Sequence, residues 1–340
     1  MFEQEISIEK KIDMIILEYV SKNLLKNNND IKAVFLVGSA ARGELSRISD
    51  IDLLIITNKK LSDDQQDNMR SDVYKGLRFS MLYTNLSLLK EGVSQEIPAT
   101  ITFIIDAKVI YDPDALLKTI KSLLNDFKLS NNLKEEIISA ENRLSILKDA
   151  SLENQNFNIL MTSIDLAREF LCLNNDPYMA VKHLYKHLSL YNNSYAESFR
   201  EIWKCEDECK VIKIFEKQIA NLNKLKDCNQ CKNNNINIIP RIENAEEALN
   251  TAKYLLNNKN FEAVPIVFSE TYYLYRGFME YLGHDFDILT YENFFSLLNM
   301  ESPKLLLSFS KIWQFFDHMS ILKILKKQIE FLKNLSGIIL

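Results

Sequence analysis

The sequence predicts an α/β unit followed by an all-helical unit, and three observations support this division. Short apolar runs rich in β-branched residues are concentrated in the first 125 residues and largely disappear after them. Long amphipathic segments fill the remainder, and the breaks between them fall at Asn- or Pro-containing points. A chain of 340 residues is also long enough for two domains, each with its own core. We therefore predict domains at 1–125 and 126–340.

The first unit opens with apolar residues at helical spacing, which predict a helix over 5–27 that ends at "NNND". The runs "IKAVFLV" (31–37) and "IDLLIIT" (51–57) are short and β-branched, and they predict buried strands. The run "LRFSMLYTNL" (77–86) predicts a third strand. These strands form the expected core of the unit.

Two segments of this unit are read from weaker patterns. The stretch from Leu61 to Lys75 predicts a helix, with Ser62 and Gln65 at capping-box positions. The β-branched run at 99–112 predicts a fourth strand or a hairpin, with Asp106 in its turn. An amphipathic helix follows, with Pro113 near its start.

Amphipathic helices are predicted throughout the second unit, and an Asn-rich exposed loop is predicted at 228–240. The predicted helical segments are 130–149, 153–174, 178–190, 196–225, 242–257, 261–282 and 302–335.

Composition restricts the partners of the protein. The net charge is −5, from 41 basic and 46 acidic residues, which argues against a general nucleic-acid-binding face. The N-terminus has no apolar signal-peptide region, and no run reaches the length of a membrane span. We expect a cytoplasmic protein without a membrane partner, and an oligomer is compatible with this composition.

The stretch "VFLVGSAARGELSRISDIDLLIIT" (34–57) contains two of only seven glycines in the chain. Gly38 follows a predicted strand, and glycine lets a backbone approach a phosphate closely. The Ser39 hydroxyl can donate to a phosphate oxygen, and Arg42 can contact a phosphate or pair with a carboxylate. The pattern indicates an anion-binding turn.

The second half of this stretch places Asp50 and Asp52 on one face of a strand, because strand side chains alternate. Two neighbouring carboxylates at the end of an apolar strand repel each other unless a cation lies between them. Mg²⁺ or Mn²⁺ takes carboxylate and phosphate oxygens together. The aspartate pair therefore indicates a site for a metal ion that is bound together with a nucleoside triphosphate.

Together, these positions resemble the signature of the DNA polymerase beta-type nucleotidyltransferase superfamily. Gly38 and Ser39 match its G-S pair, Arg42-Gly43 a frequent R-G, and Ser49-Asp50-x-Asp52 its D-x-D. The resemblance implies a domain with a small mixed sheet over 1–125 and a helical acceptor or interaction domain after it, as in kanamycin nucleotidyltransferase. It also implies phosphate contacts from Gly38, Ser39, Arg42 and Ser49 and metal ligation by Asp50 and Asp52.

Active members of this superfamily carry a third carboxylate on the following strand, and this sequence departs from that pattern. The strand predicted at 77–86 has no acid, and Ser80 occupies the region. Glu96 and Asp106 are acids nearby in the sequence. We interpret Glu96 as a loop residue and Asp106 as a structural residue. By analogy with kanamycin nucleotidyltransferase, Glu169 of the helical unit is a candidate general base, with a solvated helix face as the alternative.

Two hypotheses follow for function. The first is an enzyme that transfers a nucleoside monophosphate from an NTP to a hydroxyl of a small molecule or protein and releases pyrophosphate, with nucleic acid an unlikely acceptor. The second is a catalytically weakened module that binds nucleotide or a partner protein in a regulatory or antitoxin-like role.

Four cysteines of the helical unit form two closely spaced pairs. The pairs are Cys205-x3-Cys209 and Cys228-x2-Cys231, and four thiolates suit a structural Zn²⁺ ion. Disulfides or free thiols are the alternatives. A zinc ion here would stabilise the helical unit rather than take part in catalysis.

Overall fold

The structure is a computed structural model, and it describes residues 8–26, 28–43, 50–58, 61, 69–125, 127–130, 132–178, 180–182, 184–225, 239–284 and 290–336. Its internal contacts divide the chain into two compact units, Met1–Ser130 and Asn131–Leu340. No helix among the described residues is long and apolar enough to cross a membrane.

The first unit is built on a small mixed sheet, as the sequence predicts. Among the described residues the sheet has five strands in the order β3-β4-β2-β1-β5. β2 pairs parallel with β4, and the other neighbouring pairs are antiparallel. The strands are β1 (Ile31–Val37), β2 (Ile51–Thr57), β3 (Met69–Tyr74), β4 (Leu77–Thr84) and β5 (Lys108–Tyr111).

Helices cover both faces of this sheet, because alternate residues of the central strands are apolar on each face. On one face Leu53 joins a buried cluster with Ile16 and Tyr19. On the other face Leu54 joins a cluster with Leu89. The helices are α1 (Ile8–Tyr19), which continues as a π-helical segment (Val20–Leu25), α2 (Gly38–Arg42), α3 (Leu86–Ser94), α4 (Pro98–Asp106) and α5 (Leu116–Ser122).

The helix predicted from Leu61 to Lys75 is wrong over its second half, where the chain forms β3. β3 and β4 make a hairpin, and the two turn residues Lys75 and Gly76 have φ of 51° and 80°. Left-handed turn residues match the twist of a hairpin, which explains the glycine at the second position. Residues 62–68, with the predicted cap, lie outside the described residues.

The strand or hairpin predicted at 99–112 is also wrong over most of its length. Residues Pro98–Asp106 form α4, with proline in the first turn where its missing N–H costs nothing. Only the end of the run, β5, is a strand. Asp106 therefore lies at the end of a helix and not in a hairpin turn. Burial of Ile101 and Ile104 overrides the β preference of the run.

The second unit is helical throughout its described residues, as predicted. Two predicted segments divide: 196–225 becomes two helices, and 302–335 becomes two helices with a short 3-10 turn (Trp313–Phe315). One helix at 294–301 was not predicted. The helices are α6 (Leu133–Ile146), α7 (Leu152–Leu173), α8 (Leu184–Tyr191), α9 (Asn193–Ile202), α10 (Glu208–Leu225), α11 (Ile239–Asn257), α12 (Ala263–Tyr281), α13 (Phe294–Glu301), α14 (Pro303–Ser310) and α15 (His318–Ser336).

Candidate nucleotide site

The aspartate pair lies at the start of β2, where the strand pattern places both side chains on one face. Asp50 directly precedes the strand, and Asp52 is its second residue. Their face continues into the buried Leu54 and Ile56. Asp52 lies opposite Val37, the last residue of β1, in the antiparallel register. The register therefore brings the aspartates to the turn that begins at Gly38.

Gly38 has a left-handed backbone, with φ of +65°. A β-carbon at this position would lie 2.3 Å from Oδ2 of Asp52, well inside contact distance. A side chain at residue 38 would therefore displace the Asp52 carboxylate. The glycine serves two needs, since it accepts the left-handed conformation and lets the turn pass directly beside a carboxylate.

Ser39 follows in α2, a helix of five residues, and its side chain is half-buried. The helix ends at Gly43, which has a left-handed backbone. Ser49, the remaining predicted phosphate contact, lies outside the described residues. Gly38, Ser39 and the aspartates thus lie at the same end of the β1-β2 pair, which is the arrangement that the motif predicts.

Arg42 forms an ion pair with Asp106 at the end of α4. The Arg42 side chain is 22% exposed and the Asp106 side chain only 6%. Of the two roles open to Arg42 from its sequence, the structure shows pairing with a carboxylate. This pair joins α2 to α4 and so anchors the helix that follows the glycine turn.

β4 supplies a serine and an arginine beside the aspartates, where the superfamily pattern has an acid. Ser80 lies next to Asp52 in the parallel register, and its hydroxyl donates a hydrogen bond of 2.7 Å to Oδ2 of Asp50. Arg78, two residues earlier on the same face, has its Nε 3.4 Å from Oδ1 of Asp50.

The residues present fit a magnesium ion carried by a nucleotide. Within the described ranges there is no cluster of three His, Cys, Asp or Glu side chains that could hold a metal. Mg²⁺ commonly keeps several waters and takes only one or two carboxylates together with substrate phosphates. Asp50 and Asp52 supply that number, and the Gly38 turn leaves backbone beside Asp52.

Glu169 lies on α7 of the helical unit, and its Oε2 accepts a hydrogen bond of 2.8 Å from the backbone N–H of Asn132. Burial raises the pKa of its carboxyl, against the opposing effect of the Asn132 N–H. Glu169 is therefore engaged at the start of α6 and is not on a fully solvated helix face. Its predicted role as a base stays a prediction.

The other acids and the cysteines also have definite places. Glu96 accepts hydrogen bonds from the backbone N–H and hydroxyl of Ser130, and these bonds hold the last residue of the first unit to the loop before α4.

Cys205 is half-buried and Cys209 is exposed, and both are free thiols. Cys228 and Cys231 lie outside the described residues, and the predicted zinc site therefore stays a prediction.

Arg78 is not among the predicted site residues, although the sequence contains a signal for it. The residue lies two positions before Ser80, and alternation alone places both on the Asp50 face. What the sequence lacked was the parallel pairing of β2 with β4.

The sequence model of a known family agrees with the motif. Residues 20–116 match the sequence model of the family described as Polymerase beta, Nucleotidyltransferase. A solved structure of a nucleotidyltransferase-like protein from Exiguobacterium sibiricum 255-15 is 12% identical, with 87% of this chain and 81% of that chain covered and a TM-score of 0.25. A comparison with curated proteins finds no match. Residues 20–116 are therefore similar in sequence to nucleotidyltransferase domains of the polymerase beta type.

Proposed function

We propose that the protein is a metal-dependent nucleotidyltransferase. It binds an NTP with Mg²⁺ or Mn²⁺ and transfers the nucleoside monophosphate to a hydroxyl of a small molecule or protein. The acceptor oxygen forms a bond to the α-phosphorus, the bond from that phosphorus to the bridging oxygen breaks, and pyrophosphate leaves. A bound metal ion would neutralise charge on the phosphates during this displacement.

The observation that supports this proposal most directly is the contact geometry of Gly38 and Asp52. The backbone of the turn passes so close to the carboxylate that no side chain fits between them. Such a turn offers backbone N–H groups to phosphate oxygens at the place where the carboxylates hold the cation. A surface turn next to a solvated aspartate would need neither the glycine nor the close approach.

The acceptor hydroxyl must lose a proton, and β4 offers no carboxylate for this step. Glu169 is our candidate proton acceptor from the helical unit. Its raised pKa suits a base, because a carboxylate with a higher pKa accepts a proton more readily. The net charge of −5 favours a small-molecule or protein acceptor over a nucleic acid.

The test is to incubate the purified protein with each radiolabelled NTP and Mg²⁺ or Mn²⁺, alone and with hydroxyl-bearing small molecules and proteins. We expect metal-dependent NTP binding and transfer of label, both lost in the double variant Asp50→Asn/Asp52→Asn. Asp114→Asn, at an exposed acid of the same unit, is the matched control and should keep both. Absence of metal-dependent NTP binding would overturn the proposal.

A second candidate function is a nucleotide-binding module with weakened catalysis. The observation that favours it is the pair Arg78 and Ser80, which contact Asp50 from the strand where an acid is expected. A guanidinium near Asp50 competes with a metal ion for the carboxylate. In this case the same experiment gives metal-dependent binding that the aspartate variants abolish, without transfer of label to any acceptor.

A further inference from the structure

The helical unit has a partly open cavity of about 470 Å³, a size typical of small-ligand sites. Its walls come from α6, the 3-10 turn Leu147–Asp149, α7 and α15. The apolar part of the lining is aliphatic and comes from all four segments: Leu144, Leu147, Ile159, Leu322 and Ile329. This lining suits an apolar chain or ring, because it would be removed from water on binding.

One buried amide in the lining is only partly satisfied. Asn158 is 1% exposed, and its Nδ2 donates hydrogen bonds to Asn154 and to the carbonyl of Tyr291. Its Oδ1 is buried and accepts no hydrogen bond from the part of the chain that the structure describes. An acceptor left in this state costs about 1–3 kcal/mol, and the packing of α7 beneath the cavity bears that cost.

The charged residues of the lining favour an anion. Lys148, Lys326 and Lys333 face two carboxylates, those of Glu141 and Glu330. Lys333 is neutralised, since its Nζ lies 2.7 Å from Oε1 of Glu141. Within the described ranges, Lys148 and Lys326 form no ion pair. Lys148 lies on the 3-10 turn and Lys326 on α15, so the lining has two such ammonium groups against one carboxylate, that of Glu330, without an ion pair in the described part of the chain.

We propose that this cavity binds a small amphipathic anion. Its apolar part would lie against the aliphatic walls, and its anionic end near Lys148 and Lys326. The nucleotide site lies in the other unit and plays no part in this binding, so the two proposals stand or fall separately.

The test uses the full chain and the fluorescent probe anilinonaphthalene sulfonate, which has apolar rings, an N–H donor and an anionic group. We expect saturable binding of one probe per chain. Decanoate should displace the probe at concentrations at least about tenfold lower than decanol, because only decanoate carries the charge that the lysines attract. Equal displacement by the two competitors, or no saturable binding, would overturn the proposal.

Charge reversal locates the site. The double variant Lys148→Glu/Lys326→Glu should weaken probe binding by at least about tenfold. The matched control is Lys323→Glu/Lys327→Glu. Both positions are exposed on α15, the helix of Lys326, and neither lines the cavity. Ser145→Trp, at an exposed lining position, should block entry without loss of core packing. Equal loss of binding in the control and the test variant, at unchanged thermal midpoints, would contradict the assignment.

Discussion

The hydroxyl of Ser80 donates a hydrogen bond of 2.7 Å to the carboxylate of Asp50. Because Ser80 also lies beside Asp52 in the parallel register, an acid at this position would lie close to both aspartates. We predict that Ser80→Asp tightens binding of Mn²⁺ by about tenfold or more, since a third carboxylate adds a metal ligand. Calorimetric titration with Mn²⁺ measures the change.

The same variant should be less stable without metal, because three carboxylates then repel one another. Ser80→Ala is the control, since it removes the hydrogen bond without adding a charge. If Ser80→Asp binds Mn²⁺ no better than Ser80→Ala, the aspartate pair is not a metal site.

Gly38 and Gly43 both have left-handed backbones, but they differ in the space around them. We predict that Gly38→Ala loses NTP binding, because its β-carbon would collide with the Asp52 carboxylate. Gly43→Ala has nothing within 4 Å of the added carbon and carries only the backbone cost, about 1–2 kcal/mol. Urea denaturation and NTP titration of both variants separate the two effects. NTP binding by Gly38→Ala equal to that of Gly43→Ala would contradict the proposed geometry.

The Arg42–Asp106 pair should contribute to stability rather than to substrate contact. Removing the guanidinium in Arg42→Met leaves a nearly buried carboxylate without this partner and should cost about 3 kcal/mol. The double variant Arg42→Met/Asp106→Leu should recover much of this loss, because no charge remains buried. Denaturation midpoints of Arg42→Met, Asp106→Leu and the double variant together form a double-mutant cycle. Additive effects would show that the two side chains do not interact.

The stability of the helical unit should fall as the pH rises from about 4 to 7. Burial raises the pKa of Asp165 from 3.8 to about 6 and that of Glu270 from 4.5 to about 7. Each folded carboxyl holds its proton more tightly than the unfolded one, so its favourable contribution is complete below the unfolded pKa and disappears above the folded pKa. A shift of this size corresponds to about 3 kcal/mol for each group.

Glu270→Gln removes one of these titrations and should flatten the pH dependence of the unfolding free energy above about pH 4.5. Glu243→Gln, at an exposed position of α11, is the control and should leave the profile unchanged. An unchanged profile in Glu270→Gln would show that its carboxyl titrates normally.

The two described cysteines of the first pair should differ in reactivity. Burial, with a contribution from Glu208, raises the pKa of the Cys205 thiol to about 12, while Cys209 is exposed. Because the thiolate is the reactive form, Cys209 should be alkylated much faster than Cys205 at pH 8. Peptide mapping by mass spectrometry after brief iodoacetamide treatment reads each site. Protection of both cysteines that a chelator abolishes would instead support the predicted zinc site.

The motif was predictable from sequence because its residues are close in the chain and its strands have strong patterns. Alternation alone placed Asp50 and Asp52 on one face, and the glycine followed a clear apolar strand. The partners from other segments were not predictable in the same way. Asp106 was assigned to a hairpin because β-branched residues dominate its segment, whereas helix packing decides the conformation there.

The contacts of Arg78 and Ser80 depend on a parallel pairing between β2 and β4, which local patterns do not encode. The β3-β4 hairpin was missed because its turn, Lys75-Gly76, lacks the Asn-Gly or Asp-Gly pair that marks such turns most strongly. The β2-β4 pairing and the β3-β4 hairpin, the two features that were not predicted, both involve β4. The fold class was still predictable, because it required only that the unit containing the strands precede the all-helical unit.

Among the described residues the outer strands of the sheet are β3 and β5, and they bear on how the protein behaves at high concentration. An edge strand has unpaired backbone N–H and C=O groups that a second copy can pair with. β3 exposes Arg70 and Asp72 beside Val73, and β5 is only four residues long, with Lys108 exposed. Charge on one edge and shortness on the other disfavour continuous intermolecular pairing. We therefore expect neither edge to promote growth of the sheet into fibrils.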